Sequence, residues 1–254
     1  QTGYSGIGDV QIDQVEPTVS GVTYTPDNSP TNGFDINGST TTLQVDVTYS
    51  ENMDQTVAPT IAFTNPDLTT NVLSVSSSGW QSATVYRVTY NVTDSDVSDA
   101  SVDVTVSGGE DLANNVQTTY TGTGDVSIDQ VNPTVSNITY TPDNTPTNSY
   151  DINISTTTFQ IDITYNEPMD QTIAPTISFA NPNLATAVLT FNGGGSGWQS
   201  ATVYRAAYTV TDVNVSDASV DVSVTSGKDL SGNSHTSYTG IGDLEVDQLE
   251  PTVS

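Results

Sequence analysis

The stretch TTLQVDVTYSENMD, Thr41 to Asp54, decides the fold. Its apolar residues Leu43, Val45, Val47 and Tyr49 fall on every second position, and their neighbours are polar. That period of two belongs to a strand with one face in a core and the other in water. The same alternation recurs at Tyr86, Val88, Tyr90 and Val92 and again at Val102, Val104 and Val106. Pro, Gly, Asn and Asp clusters punctuate the runs, and no helical period appears anywhere. The pattern predicts strands over 19–25, 41–50, 60–64, 71–77, 83–93, 100–107 and 116–122. Seven short antiparallel strands in about a hundred residues read as an immunoglobulin-like β-sandwich. A closed barrel is the weaker alternative.

The whole unit is then repeated. DVQIDQVEPTVS, Asp9 to Ser20, returns as DVSIDQVNPTVS from Asp125 and as DLEVDQLEPTVS from Asp243, at offsets of 116 and then 118 residues. Between these marks the copies correspond nearly throughout, as in SGWQSATVYR, which is common to both. The two extra residues fall where VSSSGW ending at Trp80 becomes FNGGGSGW ending at Trp198. The division expected is residues 1–17 as the end of a preceding repeat with its linker, 18–133 and 134–251 as two sandwiches, and 252–254 as the start of another. A tandem array longer than this chain is expected. Pro17 and Pro133 stiffen short linkers, so neighbouring sandwiches are expected end to end, each adding roughly 40 Å.

Composition restricts the function. The 254 residues carry 30 Asp or Glu against 3 Lys or Arg, one His and no Cys, for a net charge of -27. Without cysteine there is neither a disulfide nor a thiolate zinc site. So negative a surface repels phosphate backbones and anionic lipid, which argues against nucleic-acid and membrane partners. No apolar run is long enough to span a bilayer. The first repeat holds no His and no Lys, so a Ser or Thr nucleophile there lacks a base, and no catalytic role is expected. A Lys to Asn isopeptide staple is excluded in that repeat for the same reason.

The order of strands sorts the acidic loops to the two ends of each sandwich. At the leading end Glu51, Asp54 and Asp111 are expected beside the incoming linker with Asp9 and Asp13. At the far end Asp94 and Asp99 lie beside the outgoing Asp125 and Asp129, with Asp212 and Asp217 as their second-repeat counterparts. Stacked sandwiches then bring Asp129 toward Glu167, Asp170 and Asp229. Such a seam is repulsive without a counterion. Hard divalent cations relieve it, and Ca2+ suits irregular loops because it accepts six to eight oxygens in flexible geometry. The competing expectation is that these carboxylates are solvated surface that keeps the chain soluble. Trp80 and Trp198 could form a sugar-stacking platform, although a single Trp per sandwich is more often packed against the core. Arg87 and Arg205, the repeated cations, are expected to pair with a neighbouring carboxylate or to cover apolar surface.

Together, TTLQVDVTYSENMD, the turns GGEDLANN (Gly108 to Asn115) and GKDLSGN (Gly227 to Asn233), and DVSIDQVNPTV (Asp125 to Val135) resemble bacterial Ig-like tandem repeats. Such repeats build the extender regions of giant secreted adhesins, including RTX-type and biofilm-associated surface proteins. The resemblance covers both repeats. It implies an extracellular string of sandwiches rigidified by calcium near the linkers, with Asp125, Asp129, Glu167, Asp170 and Asp229 as favoured ligands. The partners it implies are neighbouring repeats of the same chain. Two other functions are weighed beside it: a repeat of a polymeric filament or surface layer, in which identical chains meet, and a carbohydrate-binding module. The linker here reads DQ(V/L)(E/N)P where many relatives have a D-T-x-x-P form, a departure that leaves ion number and positions open.

Overall fold

The computed structural model describes residues 11–27, 35–142, 151–180, 184 and 188–252. It is all β, in two compact units, Gln1–Gln130 and Val131–Ser254. In the first unit, β1 (Val19–Thr25), β3 (Thr42–Tyr49), β6 (Val85–Val92) and β5 (Leu73–Trp80) form one sheet in the order β1-β3-β6-β5. The facing sheet has the order β2-β8-β7-β4, built from β2 (Ile36–Asn37), β8 (Tyr120–Asp129), β7 (Ser98–Ser107) and β4 (Thr60–Thr64). This is an immunoglobulin-like β-sandwich. All pairings are antiparallel except the two-residue β2, which lies parallel to β8 with Ile36 opposite Ile128. A strand of two residues carries no period, so no alternation in the sequence marks it.

The alternating residues point where the period requires. Leu43, Val45 and Val47 are fully enclosed and meet Tyr86, Val88 and Tyr90 from β6 and Val102, Val104 and Val106 from β7, with Phe63 of β4 closing the core. The outward face of β3 is polar, and there Asp46 takes a bidentate ion pair from Arg87, whose Nε and Nη2 each donate at 2.6 Å. Arg205 makes the same pair with Asp162. On the solvent-facing side of the strand, screening by water leaves such a pair a small part of the stability.

Two strands end well beyond their expected limits. The expected last strand, 116–122, leaves Asp125 and Asp129 in the linker. The structure instead runs β8 through Asp129, because Val126 and Ile128 turn inward and are fully buried. Gly124, at φ 65° and exposed, interrupts the alternation between Gly122 and Val126, where the pairing with β7 shifts register. Likewise the strand expected at 71–77 runs further: β5 continues to Trp80, opposite Tyr86, across a bulge between Val75 and Ser77.

The second unit repeats this plan. Its sheets are β13-β15-β11-β9, with β14 also on β15, and β10-β17-β16-β12. They comprise β9 (Val135–Thr141), β10 (Ile152–Asn153), β11 (Thr158–Tyr165), β12 (Thr176–Ala180), β13 (Leu189–Phe191), β14 (Gly197–Trp198), β15 (Val203–Val210), β16 (Ser216–Thr225) and β17 (Tyr238–Asp247). The two extra residues split the counterpart of β5 into β13 and β14 around the turn at 192–196.

An acidic bracket joins the sheets in each unit. Asp125 Oδ2 accepts the hydroxyls of Tyr24, from β1, at 3.0 Å and of Tyr120, from its own strand, at 2.8 Å. Its carboxylate lies over Gly122, where a Cβ would overlap it. Asp243 does the same with Tyr140 and Tyr238 over Gly240.

Candidate metal centre

The site grows from the turn that follows β7. Asp111 is 1% exposed. Its Oδ1 accepts the main-chain N–H of Ala113 at 2.7 Å and of Asn115 at 2.9 Å, while Oδ2 accepts Asn115 Nδ2 at 2.8 Å. These donors close GGEDLANN into a rigid loop with Asn114 in the left-handed region at φ 66°, which Asn tolerates. Asn115 Nδ2 also reaches the carbonyl of Asp13, at 3.4 Å. The incoming segment is thereby tied down. Thr118 N–H donates to Pro17 O at 3.0 Å, Thr118 Oγ1 to Glu16 at 3.2 Å, and Ser50 N–H to Thr18 O at 2.9 Å.

Glu51 lies two residues beyond the end of β3. The result is that Asp13, Glu51 and Asp111 each present a carboxylate oxygen within 4.8 Å of the others. At that separation like charges repel by about 1 kcal/mol per pair in bulk water and roughly 3 kcal/mol at an effective dielectric of 20. The electrostatics record this strain. Desolvation and then the charges of Asp13 and Asp111 raise the Glu51 carboxyl above its ordinary range. Burial also works to raise Asp111, but the Asn115 and Ala113 donors outweigh it and hold that carboxyl below the usual value. Asp111 thus stays ionised, with a neighbour of the same sign. Three carboxylates supply up to six oxygens, and the local donors hold Asp111 in a fixed orientation; that donor set fits a hard cation with oxygen ligands.

In the second unit Glu167 and Asp229 also bring carboxylate oxygens within 4.8 Å of each other. Asp229 is clamped by Asn233, through N–H at 2.8 Å and Nδ2 at 2.9 Å, as Asp111 is by Asn115.

Most of the other expected ligands are placed differently. Asp9 lies outside the described residues. Asp54 and Asp170 turn back on their own loops, where Thr56 and Thr172 each donate N–H and Oγ1 to them at 2.7–2.9 Å. Those donors lower both carboxyls. Asp94, Asp99, Asp212 and Asp217 each accept the N–H of the residue two positions on, and none belongs to a cluster of three among the described residues. Asp125 sits in the tyrosine bracket. Asp129 ends β8, buried.

Two further carboxylates, Asp35 and Asp151, are enclosed and bind the last strand of their units. Asp35 accepts from Ser127 N–H and Oγ, and Asp151 from Glu245 N–H. The sequence reading missed Asn115 as the clamp, although its recurrence as Asn233 in the aligned turns was there to be used.

Trp80 is half-buried and packs between Tyr49 and Tyr86, with ring centroids 5.7 and 5.1 Å away. Trp198 does the same with Tyr165 and Tyr204. Both indoles cap the core, as a lone Trp per sandwich suggests.

No protein-family model matches the chain, and no curated protein matches it. Among solved structures, a crystal structure of a chicken TCR is similar over 81% of this chain and 94% of its own, at 7% identity and a TM-score of 0.27, too low a score to bear on fold or function.

Proposed function

We propose that this chain is a calcium-stiffened spacer from an extracellular bacterial adhesin or surface fibre, a structural element with no chemistry of its own. The observation that carries the reading is the cluster Asp13, Glu51 and Asp111: three carboxylates converge on one point where the incoming segment meets the sandwich. The chain has only 3 Lys or Arg to offset 30 acids, and both repeated arginines are committed to Asp46 and Asp162. A cation held by Asp13 on one side and Glu51 and Asp111 on the other cross-links the linker to the domain. By sequence repetition Asp129, Glu167 and Asp229 are the same three residues one repeat on. A chain of such joints is a stiff tether.

Calorimetric titration of the chain with Ca2+ tests the site. We expect binding with a dissociation constant on the order of 0.1–1 mM, the range of extracellular calcium modules. Asp111→Asn and Glu51→Gln should each weaken it, and Mg2+ should compete poorly. An absence of saturable heat, or equal binding by the doubly substituted chain, contradicts the reading.

A further inference from the structure

The turn that separates β13 from β14 has no counterpart in the first unit, and it contains an Asn-Gly pair, Asn192–Gly193, followed by Gly194 and Gly195. Residues 192–195 are all exposed. The main chain of Asn192 is fixed: its N–H donates to Ala207 O at 2.8 Å, and its carbonyl accepts Gly195 N–H at 3.1 Å and Ser196 Oγ at 2.8 Å. Its side chain is folded back over the turn, with Oδ1 accepting Gly194 N–H at 3.1 Å. A single hydrogen bond to the turn is thus what the carboxamide must release to reach the Gly193 nitrogen. Gly193 offers no side chain to shield the approach.

We infer that Asn192 is a site of spontaneous covalent modification, in which water converts the asparagine to aspartate and isoaspartate. The Gly193 main-chain nitrogen gives up its proton to solvent and forms a bond to the Asn192 side-chain carbonyl carbon. The bond from that carbon to the amide nitrogen breaks, and the nitrogen leaves as ammonia with a proton returned by water. The five-membered imide then takes up one water at either of its carbonyls and opens to a carboxylate. The balance is one water consumed and one ammonia released.

A second Asn-Gly pair serves as the internal control. Asn37–Gly38 stands at the end of β2, opposite Asp129, and Asn37 Oδ1 accepts Ser39 N–H at 2.9 Å, Ser39 Oγ at 2.7 Å and Thr40 Oγ1 at 3.2 Å. Three donors must be released before that carboxamide can swing to the attacking nitrogen, against one at Asn192, so Asn37 reacts more slowly. The third pair, Asn32–Gly33, lies outside the described residues, so the assay must resolve individual peptides.

The chain is incubated in mildly alkaline buffer, digested with chymotrypsin and mapped by mass spectrometry over time. The expected result is that the Asn192 peptide gains one mass unit before the Asn37 peptide and separates into two isomers, one of them labelled by an isoaspartate methyltransferase. Gly193→Ala should slow the conversion several-fold. A Cβ there meets only Phe191 Cε1, at 3.8 Å, so the variant should keep its fold. An Asn192 peptide of unchanged mass, an Asn37 peptide that converts as fast, or an unchanged rate in Gly193→Ala overturns the inference.

Discussion

The second repeat should become more stable when its only histidine is replaced by the residue that the first repeat has there. In the first unit Gln117 is enclosed and serves two sides at once. Its Oε1 accepts Tyr49 Oη at 2.8 Å and Gly109 N–H at 3.0 Å, while Nε2 donates to Val106 O at 3.0 Å. In the second unit His235, 6% exposed, spends Nδ1 on Thr236 O at 2.8 Å. Its Nε2 and the hydroxyl of Tyr165, itself 2% exposed, are both enclosed without a hydrogen-bond partner. An imidazole carries nitrogen at only one of the two positions that the glutamine fills with Nε2 and Oε1. Leaving a buried donor or acceptor unmet costs about 1–3 kcal/mol. Against this, His235→Gln forfeits an edge-on ring contact with Tyr165 at 5.5 Å, of about 0.5–1 kcal/mol. The net gain expected is about 1–2 kcal/mol, or roughly 4–8 °C in Tm for a unit of this size. The assay is urea unfolding followed by Trp198 fluorescence in a Trp80→Phe background, so that only the second unit reports. The reciprocal Gln117→His should lower the first unit's midpoint by a similar amount, read from Trp80 in a Trp198→Phe background. An unchanged or lowered midpoint in His235→Gln refutes the reasoning.

Three further outcomes are expected. Asp125→Ala strips the acceptor from two tyrosine hydroxyls that join the sheets and should cost about 2–4 kcal/mol in urea unfolding, with Gly122→Ala comparable because its Cβ displaces the same carboxylate. Ser226 holds φ 70° where the first repeat has Gly108 at φ 78°, so Ser226→Gly should stabilise the second unit by about 1 kcal/mol and Gly108→Ser should destabilise the first. At alkaline pH the tyrosines turn against the fold. Burial pushes Tyr90 up to about 12 from 10.0, and burial followed by hydrogen bonds and charges from Asp125 and Asp243 does the same to Tyr120 and Tyr238. Between pH 10 and 12 the folded chain therefore holds protons that the unfolded chain has released. The tyrosine contribution should be constant below pH 10 and fall above it, by up to about 1.4 kcal/mol per pH unit from Tyr90 and less from the more exposed pair. A pH series of urea midpoints that rises across this window contradicts the assignment.

The alternation of Leu43, Val45, Val47 and Tyr49 carried the sandwich because one face of each strand must be apolar, and the offset from Asp9 to Asp125 carried the repeat. The boundary of β8 was not legible from alternation, since Gly124 interrupts the period just before Val126 and Ile128 return to the core. Within the site, loop order was enough to bring Glu51 and Asp111 to the incoming Asp13. It could not separate them from Asp54, whose carboxylate is taken by Thr56 two residues on. That distinction depends on side-chain direction within a turn, which spacing does not encode. The same is true of Asp125, whose place on a strand rather than in a linker follows from the extended β8.

Calcium is proposed to stiffen the joints between repeats. Small-angle X-ray scattering of the chain with calcium and then with excess chelator, with thermal melts on the same samples, tests it most directly. At about 100 times the dissociation constant, an ion that binds only the folded state adds about 2.7 kcal/mol. Chelation should lower Tm and broaden or shorten the distance distribution, with Asp229→Asn, the counterpart of Asp111 one repeat on, behaving as the chelated chain does. Superimposable scattering curves and an unchanged Tm contradict it and leave the acidic loops as solvated surface.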